Sequence, residues 1–237
     1  LKNMSQDPFL SGRDEFAKEL GAPDLYEFID HFSIYAGVHT IANKLWTYEM
    51  LRKTVSVPGD IIEFGTWKGS NLMFLAKMNQ VLEPFSPKRI IGFDNFAGLP
   101  APAPEDGATA KLHVGAYKGN EKTLRAAIKL FELEKKVELV VGDALSTISH
   151  YEKNNPQTVI SFAYLDFDLY EPTKQALALV EKSLSVGGII VFDEACTVEW
   201  PGETIAMKEF LNESSHKFVM INNDLSRQPT VALRRVG

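Results

Sequence analysis

The chain has 237 residues, of which 45% are hydrophobic and 24% are charged, and its formal net charge is −6. These values are typical of one globular domain with a small appendage, and they exclude a disordered or collagen-like chain. The acidic balance disfavours a nucleic-acid binder, and no apolar run reaches the length of a membrane span. Because Cys196 is the only cysteine and the start lacks a signal-peptide core, we expect a cytoplasmic protein without disulfides.

The N-terminal part of the sequence has helical periodicity. Apolar residues recur at helical spacing in two segments: Leu25, Phe28, Ile29 and Phe32 in the first, and Ile41, Leu45, Tyr48 and Leu51 in the second. The pattern ends before Pro58-Gly59. We expect residues 1–56 to form a helical extension that serves as a lid or dimer face, and residues 57–237 to form the main domain.

Beyond residue 57 the pattern changes to short apolar runs, most of them followed by helical stretches. Five runs predict parallel strands of βαβ units: residues 60–64, 89–93, 137–141, 160–165 and 188–192. The last two runs, residues 217–222 and 230–236, lie too close together for an intervening helix and predict an antiparallel hairpin. This pattern is typical of the Rossmann-like α/β fold of class I methyltransferases, a seven-stranded sheet with helices on both faces. An NAD-binding fold would more often add another βαβ unit.

A glycine turn follows the first predicted strand. Gly65 and Gly69 allow a tight turn and a close backbone approach, and Thr66 and Ser70 lie beside them where the next helix begins. The spacing differs from the pyrophosphate motif Gly-x-Gly-x-x-Gly. Glu63, two residues before the first glycine, suits a ligand with an ammonium group, such as the methionyl end of S-adenosylmethionine (SAM). The alternative is a turn that is only structural.

Acidic residues end the second and third predicted strands. Asp94 can accept hydrogen bonds from both hydroxyls of a ribose, which NAD and SAM share. Asp143 can accept the amino group of adenine, or it can instead cap the next helix. These two positions therefore predict a nucleoside site without choosing between the two cofactors.

Three acids at the ends of the fourth and fifth strands are the most informative set. Asp166 and Asp193 are separated by about one strand-helix-strand crossover, and Glu194 follows directly. Neighbouring strands lie about 4.8 Å apart, so these carboxylates should reach one cleft, where oxygen ligands favour Mg²⁺, Ca²⁺ or Mn²⁺. The alternative is one helix cap and one solvated charge.

Two segments near these acids are candidates for substrate contact. The Pro/Gly-rich residues 98–107 predict a long loop over the active face. Pro201-Gly202 predicts a turn, and the preceding Trp200 either lines a substrate pocket or packs beneath the loop. The five histidines form no close-spaced ligand pair; His39 and His113 lie nearest the predicted lid.

Four motifs in order resemble the macrocin O-methyltransferase (TylF-type) family: residues 58–70, 92–100, 165–173 and 187–194. The resemblance covers about residues 40–210 and implies a SAM-dependent enzyme that methylates a hydroxyl of a sugar or natural-product glycoside with Mg²⁺. It puts SAM at Glu63, Gly65 and Asp94, with Asp143 and Ala144 around the adenine. It makes Asp166, Asp193 and Glu194 the metal ligands.

In the expected reaction, Asp166 is also the base that takes the proton of the acceptor hydroxyl. The Asp-Asp pair usual after strand five is Asp193-Glu194 here; glutamate can still bind Mg²⁺, but the macrolide-sugar acceptor does not transfer. The other possibilities are a catechol-type metal-dependent O-methyltransferase, an NAD-dependent oxidoreductase and a non-catalytic binding module. The resemblance and the apolar N-terminal helices predict a homodimer that acts on a small-molecule hydroxyl substrate.

Overall fold

A computed structural model describes residues 8–237. Its centre is a seven-stranded sheet in the order β3-β2-β1-β4-β5-β7-β6. The strands are β1 Asp60–Phe64, β2 Ile90–Asp94, β3 Val137–Val141, β4 Ile160–Leu165, β5 Leu184–Phe192, β6 Phe218–Asn222 and β7 Val231–Arg235. Strands β1 to β5 pair in parallel, and β7 is antiparallel to both β5 and β6. The predicted fold class is confirmed.

Helices cover both faces of the sheet. They are α1 Pro8–Glu19, α2 Leu25–Asp30, α3 Phe32–Tyr35, α4 Val38–Arg52, α5 Ser70–Leu82, α6 Gly107–Leu112, α7 Glu121–Leu130, α8 Ala144–Asn154, α9 Tyr170–Ser183 and α10 Pro201–Glu213. Successive strand residues face opposite sides, so Ile61 packs with α4, α5 and α7, while Ile62 packs with α8, α9 and α10. All helices of residues 8–237 fall short of the combined length and apolar character that a bilayer span needs.

The N-terminal helices differ in detail from the expectation. The first helical segment divides at His31 into α2 and α3, and Phe32 is 59% exposed. In α4 the buried face is centred on Trp46 and Met50, whereas Leu45 is 54% exposed. The predicted face was therefore wrong at Leu45, because α4 turns its tryptophan toward α5 and β5.

Two loop predictions also need correction. The loop over residues 98–107 ends in a 3-10 turn, Pro104–Asp106, that runs directly into α6. Pro201 does not make a turn: it is the first residue of α10, a position where the missing N–H of proline is tolerated.

Candidate functional site

A cavity of about 440 Å³ opens above the carboxyl ends of the parallel strands, where ligands of open α/β sheets bind. Seven of the predicted site residues line it: Gly65, Asp94, Asp143, Ala144, Asp166, Asp193 and Glu194. Of the other four, Glu63 is buried in β1 and Thr66 is buried just after it, while Gly69 is the N-cap of α5 and Ser70 its first residue. The cavity thus unites the predicted nucleoside and metal positions.

The glycine turn brings β1 close to β4. Gly65 has a φ of +93°, and a Cβ atom on it would lie 1.9 Å from the carbonyl oxygen of Asp166. Only glycine fits such a backbone approach. Gly69, with a φ of +85°, ends the turn and precedes α5. The turn therefore connects β1 to α5 while its backbone packs against the end of β4.

Asp94 organises the turn through backbone hydrogen bonds. Its Oδ2 accepts the N–H groups of Thr66 at 2.8 Å and Trp67 at 2.6 Å, and its Oδ1 accepts the N–H of Phe96 at 2.6 Å. A carboxylate has about four acceptor positions, so Oδ1 retains one for a ligand. Ribose binding by Asp94 stays a prediction.

Asp143 caps α8 in this structure. Its side chain accepts the N–H of Ser146 at 3.1 Å, and its carbonyl accepts the hydroxyl of Thr147. Its side chain is exposed and it still lines the cavity together with Ala144. The helix-cap alternative is therefore realised, and adenine binding at Asp143 stays a prediction.

The acids of β4 and β5 face the same cavity, and each has a raised pKa. Burial raises the pKa of Asp166 well above its usual range, and the nearby Asp193 and Asp168 raise it further. Burial, with Asp193 next, raises the pKa of Glu194 to about 7. Asp168, which sequence reasoning missed, has a pKa of about 8 through burial and Glu194. This local excess of negative charge favours a positively charged occupant.

The predicted metal triad is not assembled in this structure. Asp193 accepts the hydroxyl of Tyr164 at 2.5 Å, and Glu194 accepts the side-chain amide of Gln228. Within residues 8–237, no three histidine, cysteine, aspartate or glutamate side chains are arranged as a metal-binding group. Mg²⁺ binding by Asp166, Asp193 and Glu194 is thus left without geometric support, while their oxygen chemistry still fits a hard cation.

The segment after Trp200 positions the loop that follows β5 and carries Asp193 and Glu194. Glu203 is fully buried, and its Oε1 accepts the N–H groups of Glu194 at 3.1 Å and Ala195 at 3.2 Å. The Thr204 hydroxyl accepts the next N–H, that of Cys196, at 2.8 Å. Sequence reasoning missed this role, because nothing in a helix-starting Glu-Thr pair shows which loop it contacts.

The N-terminal helix α4 also reaches the site. Lys44 donates to Oδ1 of Asn71 at 2.9 Å, and Asn43 donates to the carbonyl of Gln228 at 3.0 Å. Burial lowers the pKa of Lys44, against the attraction of Glu63 and two cavity acids. Sequence reasoning missed Lys44, because it lies in the segment that was predicted to be a separate N-terminal extension.

An aromatic cluster forms one wall of the cavity. Trp67 and Tyr117 line it, with ring centroids 5.8 Å apart, and are 43% and 42% exposed. Behind them, the His113 ring stacks on Tyr117 at 6.0 Å, and Trp200 is buried 5.4 Å from His113. Trp200 therefore packs beneath the loop rather than lining the cavity. His39 is exposed.

The strand order, with a glycine turn after β1 and a closing antiparallel hairpin, defines the fold of class I SAM-dependent methyltransferases. Within that class, the chain belongs to the macrocin-O-methyltransferase (TylF) family, whose model matches residues 46–227. The resemblance expected from the four motifs is confirmed.

Individual relatives are consistent with this family. The crystal structure of CalS11, a calicheamicin methyltransferase, matches with a TM-score of 0.76 and 30% identity, over 100% of this chain and 95% of that one. An apo structure of CalS11, described as a TDP-rhamnose 3'-O-methyltransferase, matches with a TM-score of 0.68 and 34% identity, over 90% and 86%.

A curated relative from Streptomyces olivaceus, 8-demethyl-8-(2,3-dimethoxy-alpha-L-rhamnosyl)-tetracenomycin-C 4'-O-methyltransferase, is 28% identical over 146 residues. The match covers 58% of this chain and 53% of the relative. The chain spans about half the length of the curated relatives it matches.

Proposed function

We propose that this protein is a SAM-dependent O-methyltransferase whose acceptor is a hydroxyl of a rhamnose-type sugar, free, nucleotide-linked or part of a glycoside. The observation that carries the proposal is the convergence of the β1 glycine turn and the β4 and β5 acids on one cavity. Family membership supports the reaction type, and two relatives are named for rhamnose-containing molecules. An NAD-dependent oxidoreductase has no comparable support.

The cofactor side of the cavity fits SAM. Glu63 is buried at the end of β1 beside the side chains of Asn71, Lys44 and Thr66, and its carboxylate is the proposed partner of the methionyl ammonium. Asp94 offers its free acceptor position to the ribose. When bound, SAM supplies an electrophilic methyl group on its sulfonium.

The protein's part in the reaction is to orient the acceptor and take up one proton. As the acceptor oxygen forms its bond to the methyl carbon, the carbon–sulfur bond breaks and S-adenosylhomocysteine (SAH) is left. Asp166 is the proposed acceptor of the hydroxyl proton. Its raised pKa makes its ionised form a stronger base than an ordinary aspartate.

We further propose that a divalent cation such as Mg²⁺ assists the reaction. Asp166, Asp193 and Glu194 would hold it, with Asp168 as an additional oxygen donor on the same cavity. When bound, the cation supplies positive charge among these carboxylates and Lewis acidity near the acceptor. Holding it would require Asp193 and Glu194 to leave Tyr164 and Gln228.

The acceptor is proposed to lie against the aromatic wall. A pyranose has one face of C–H groups that packs on an aromatic ring, and hydroxyls at its edge that need polar partners. Trp67 and Tyr117 provide exposed rings, and Asp168 provides a carboxylate on the same cavity. This combination suits a sugar ring, and the comparison with catechol is left to the turnover assays.

The N-terminal residues 1–56 are proposed to act as a lid and dimer face for the methyltransferase domain, residues 57–237. Large apolar side chains on α2, α3 and the start of α4 are between 48% and 80% exposed: Phe28, Ile29, Phe32, Ile34, Tyr35 and Val38. Light scattering would test the dimer, because Ile34→Asp should yield a monomer if this surface is the interface. The cytoplasmic location stays a prediction from the single cysteine.

The function is tested by calorimetric titration with SAH, followed by turnover assays with TDP-rhamnose, methyl α-L-rhamnopyranoside and catechol, each with Mg²⁺ or a chelator. We expect SAH to bind in both buffers and sugar methylation to need the cation. Asp193→Ala should abolish turnover and spare SAH binding, while Asp224→Ala, at an exposed position, should change neither turnover nor SAH binding.

Each alternative has its own outcome. Methylation of catechol but not of either sugar would favour the catechol-type enzyme. Equal loss of turnover and SAH binding in Asp193→Ala would contradict the metal assignment. Failure of the folded wild-type protein to bind SAH would overturn the proposed function.

A further inference from the structure

The loop between β6 and β7 reaches the cavity from the side of β5 that faces away from β4. Gln228 lines the cavity from this loop, and the N–H of Thr230 ties the loop to the carbonyl of Phe192 at 2.9 Å. The sheet order puts β1, β4 and β5 between β2 and β7, which separates β7 from β2 by about 19 Å at about 4.8 Å per strand. Gln228 therefore lies on the acidic side of the cavity, away from the proposed ribose position at Asp94.

The backbone of Gln228 is held from two sides. Its carbonyl accepts the side-chain amide of Asn43, on α4, at 3.0 Å and the hydroxyl of Ser226 at 2.7 Å. Both bonds end on the main chain of Gln228, so the loop keeps them when the side chain is replaced. The carboxamide can therefore be changed without removing the bonds that hold its backbone at the cavity.

The protein uses only part of the hydrogen-bonding capacity of this carboxamide. Its Nε2 donates to Oε1 of Glu194, and within residues 8–237 the Gln228 side chain makes no other hydrogen bond. A primary amide has two N–H donors and one accepting oxygen. One N–H and Oε1 of Gln228 are therefore left on a half-buried side chain that lines the cavity.

We propose that Gln228 determines acceptor specificity, because its carboxamide binds hydroxyls of the sugar ring that are not methylated. This assignment rests on the proposed function. An amide that donates to one hydroxyl and accepts from the next matches two adjacent hydroxyls of a pyranose. If Glu194 turns to the proposed cation, a second N–H of Gln228 becomes available, and the backbone bonds still hold the residue at the cavity.

The aromatic wall supplies the other half of the acceptor site. Trp67 and Tyr117 line the same cavity as Gln228. Burial raises the pKa of Tyr117, and Asp168 and Glu194 raise it further, so the Tyr117 ring is within electrostatic range of the carboxylate that Gln228 contacts. A ring packed on the wall can thus present its edge hydroxyls to the carboxamide.

The competing explanation is that Gln228 only restrains Glu194. In that case its replacement would lower the turnover of every acceptor by the same factor. A residue that binds one hydroxyl of the acceptor matters only for acceptors that carry this hydroxyl.

The test compares kcat/KM for methyl α-L-rhamnopyranoside and its 2-, 3- and 4-deoxy analogues, at saturating SAM and with Mg²⁺. The analogue without the methylated hydroxyl cannot react, and the other two report on recognition. The variant is Gln228→Met, which keeps the length of the side chain and removes the amide. The control is Gln157→Met, at an exposed position just before β4, at the opposite edge of the sheet from the cavity.

In the wild type, loss of a bound hydroxyl should lower kcat/KM about threefold to tenfold, the usual range for a neutral hydrogen bond, and mainly through KM. In Gln228→Met, the same analogue should differ from the parent sugar by less than about twofold. Gln157→Met should keep the wild-type ratios. Gln228→Met should bind SAH within about twofold of the wild type, which also shows that this variant is folded.

The assignment is overturned if Gln228→Met lowers kcat/KM for the parent sugar and both reacting analogues by the same factor, or if it changes none of them. If the wild type binds SAH and methylates the parent sugar, such a result refutes only the role of Gln228. If the wild type binds SAH but does not methylate the sugar, the proposed acceptor fails together with this assignment. Failure of the folded wild type to bind SAH overturns the proposed function as a whole.

Discussion

The loop over the cavity is held by one buried carboxylate, Asp106. Its Oδ1 accepts the N–H of Tyr170 at 2.6 Å and its Oδ2 accepts the N–H of Ala103 at 2.7 Å, and the residue is 1% exposed. Hydrogen bonds to charged groups contribute about 1.5–3 kcal/mol each. Asp106→Ala removes two of them, so we expect the free energy of unfolding to fall by about 3–6 kcal/mol.

Urea unfolding followed by tryptophan fluorescence measures this loss. With a slope of about 3 kcal/mol/M, the midpoint of Asp106→Ala should fall by at least about 1 M. Asp106→Asn keeps one acceptor oxygen and should lose about half as much. The exposed Asp224→Ala should stay within about 0.5 kcal/mol of the wild type.

The reasoning is refuted if Asp106→Ala shifts the midpoint by less than about 0.2 M, since the two bonds would then contribute little. A second variant checks the same contact from the other side. A Cβ atom at Gly202 would lie 1.9 Å from Oδ1 of Asp106, so Gly202→Ala should displace the carboxylate. The double variant with Asp106→Ala should therefore lose less stability than the sum of the losses of the two single variants.

Three further predictions concern the site. Gly65→Ala should lose at least about 2 kcal/mol of stability and all SAH binding, since its Cβ would collide with the Asp166 carbonyl. A normal SAH titration of this variant would contradict the prediction. Burial raises the pKa of Glu203 well above its usual range, and a protonated acid resembles an amide. Glu203→Gln should therefore change stability by less than about 1 kcal/mol, whereas Glu203→Ala should cost about 2–4 kcal/mol. Equal urea midpoints for these two variants would contradict this. The ligand-free protein should become less stable as pH rises from about 4 to 8. Burial raises the pKa of Glu63 and Asp168 to about 8, so the folded state keeps protons that the unfolded chain loses; a melting temperature that rises over this range would refute the sign.

The strands were predictable because their signals are local. The run 160–165 matches β4, Ile160–Leu165, at both ends, since its length is typical of a strand and shorter than most helices. The prediction was wrong where local signals conflict with packing. β5 begins at Leu184, four residues before the predicted start, because Gly187-Gly188 interrupts the apolar pattern while the chain still extends along the sheet.

The site residues at strand ends were equally predictable from the sequence, because parallel strands present their carboxyl ends at one edge. Contacts between distant segments could not be predicted in this way. Asp106 bonds to Tyr170 across 64 residues of sequence, and Lys44 meets Asn71 from a segment assigned to a separate extension. Each pairing depends on how a helix is rotated against the sheet, and periodicity does not specify that rotation, as the exposed Leu45 shows.

The first turn of α10 links two loops of the site, the one over residues 98–107 and the one that follows β5. Gly202 must lack a side chain because Asp106, the anchor of the loop over the cavity, occupies that space. One residue later, Glu203 accepts the N–H groups of Glu194 and Ala195, which fixes the end of β5 where the acids lie. A shift of α10 along its axis would therefore move the loop over residues 98–107 and the loop that carries Asp193 and Glu194 together. The Pro-Gly-Glu-Thr sequence is better explained as this connection than as a turn, because each of its last three residues has a distinct partner in the site.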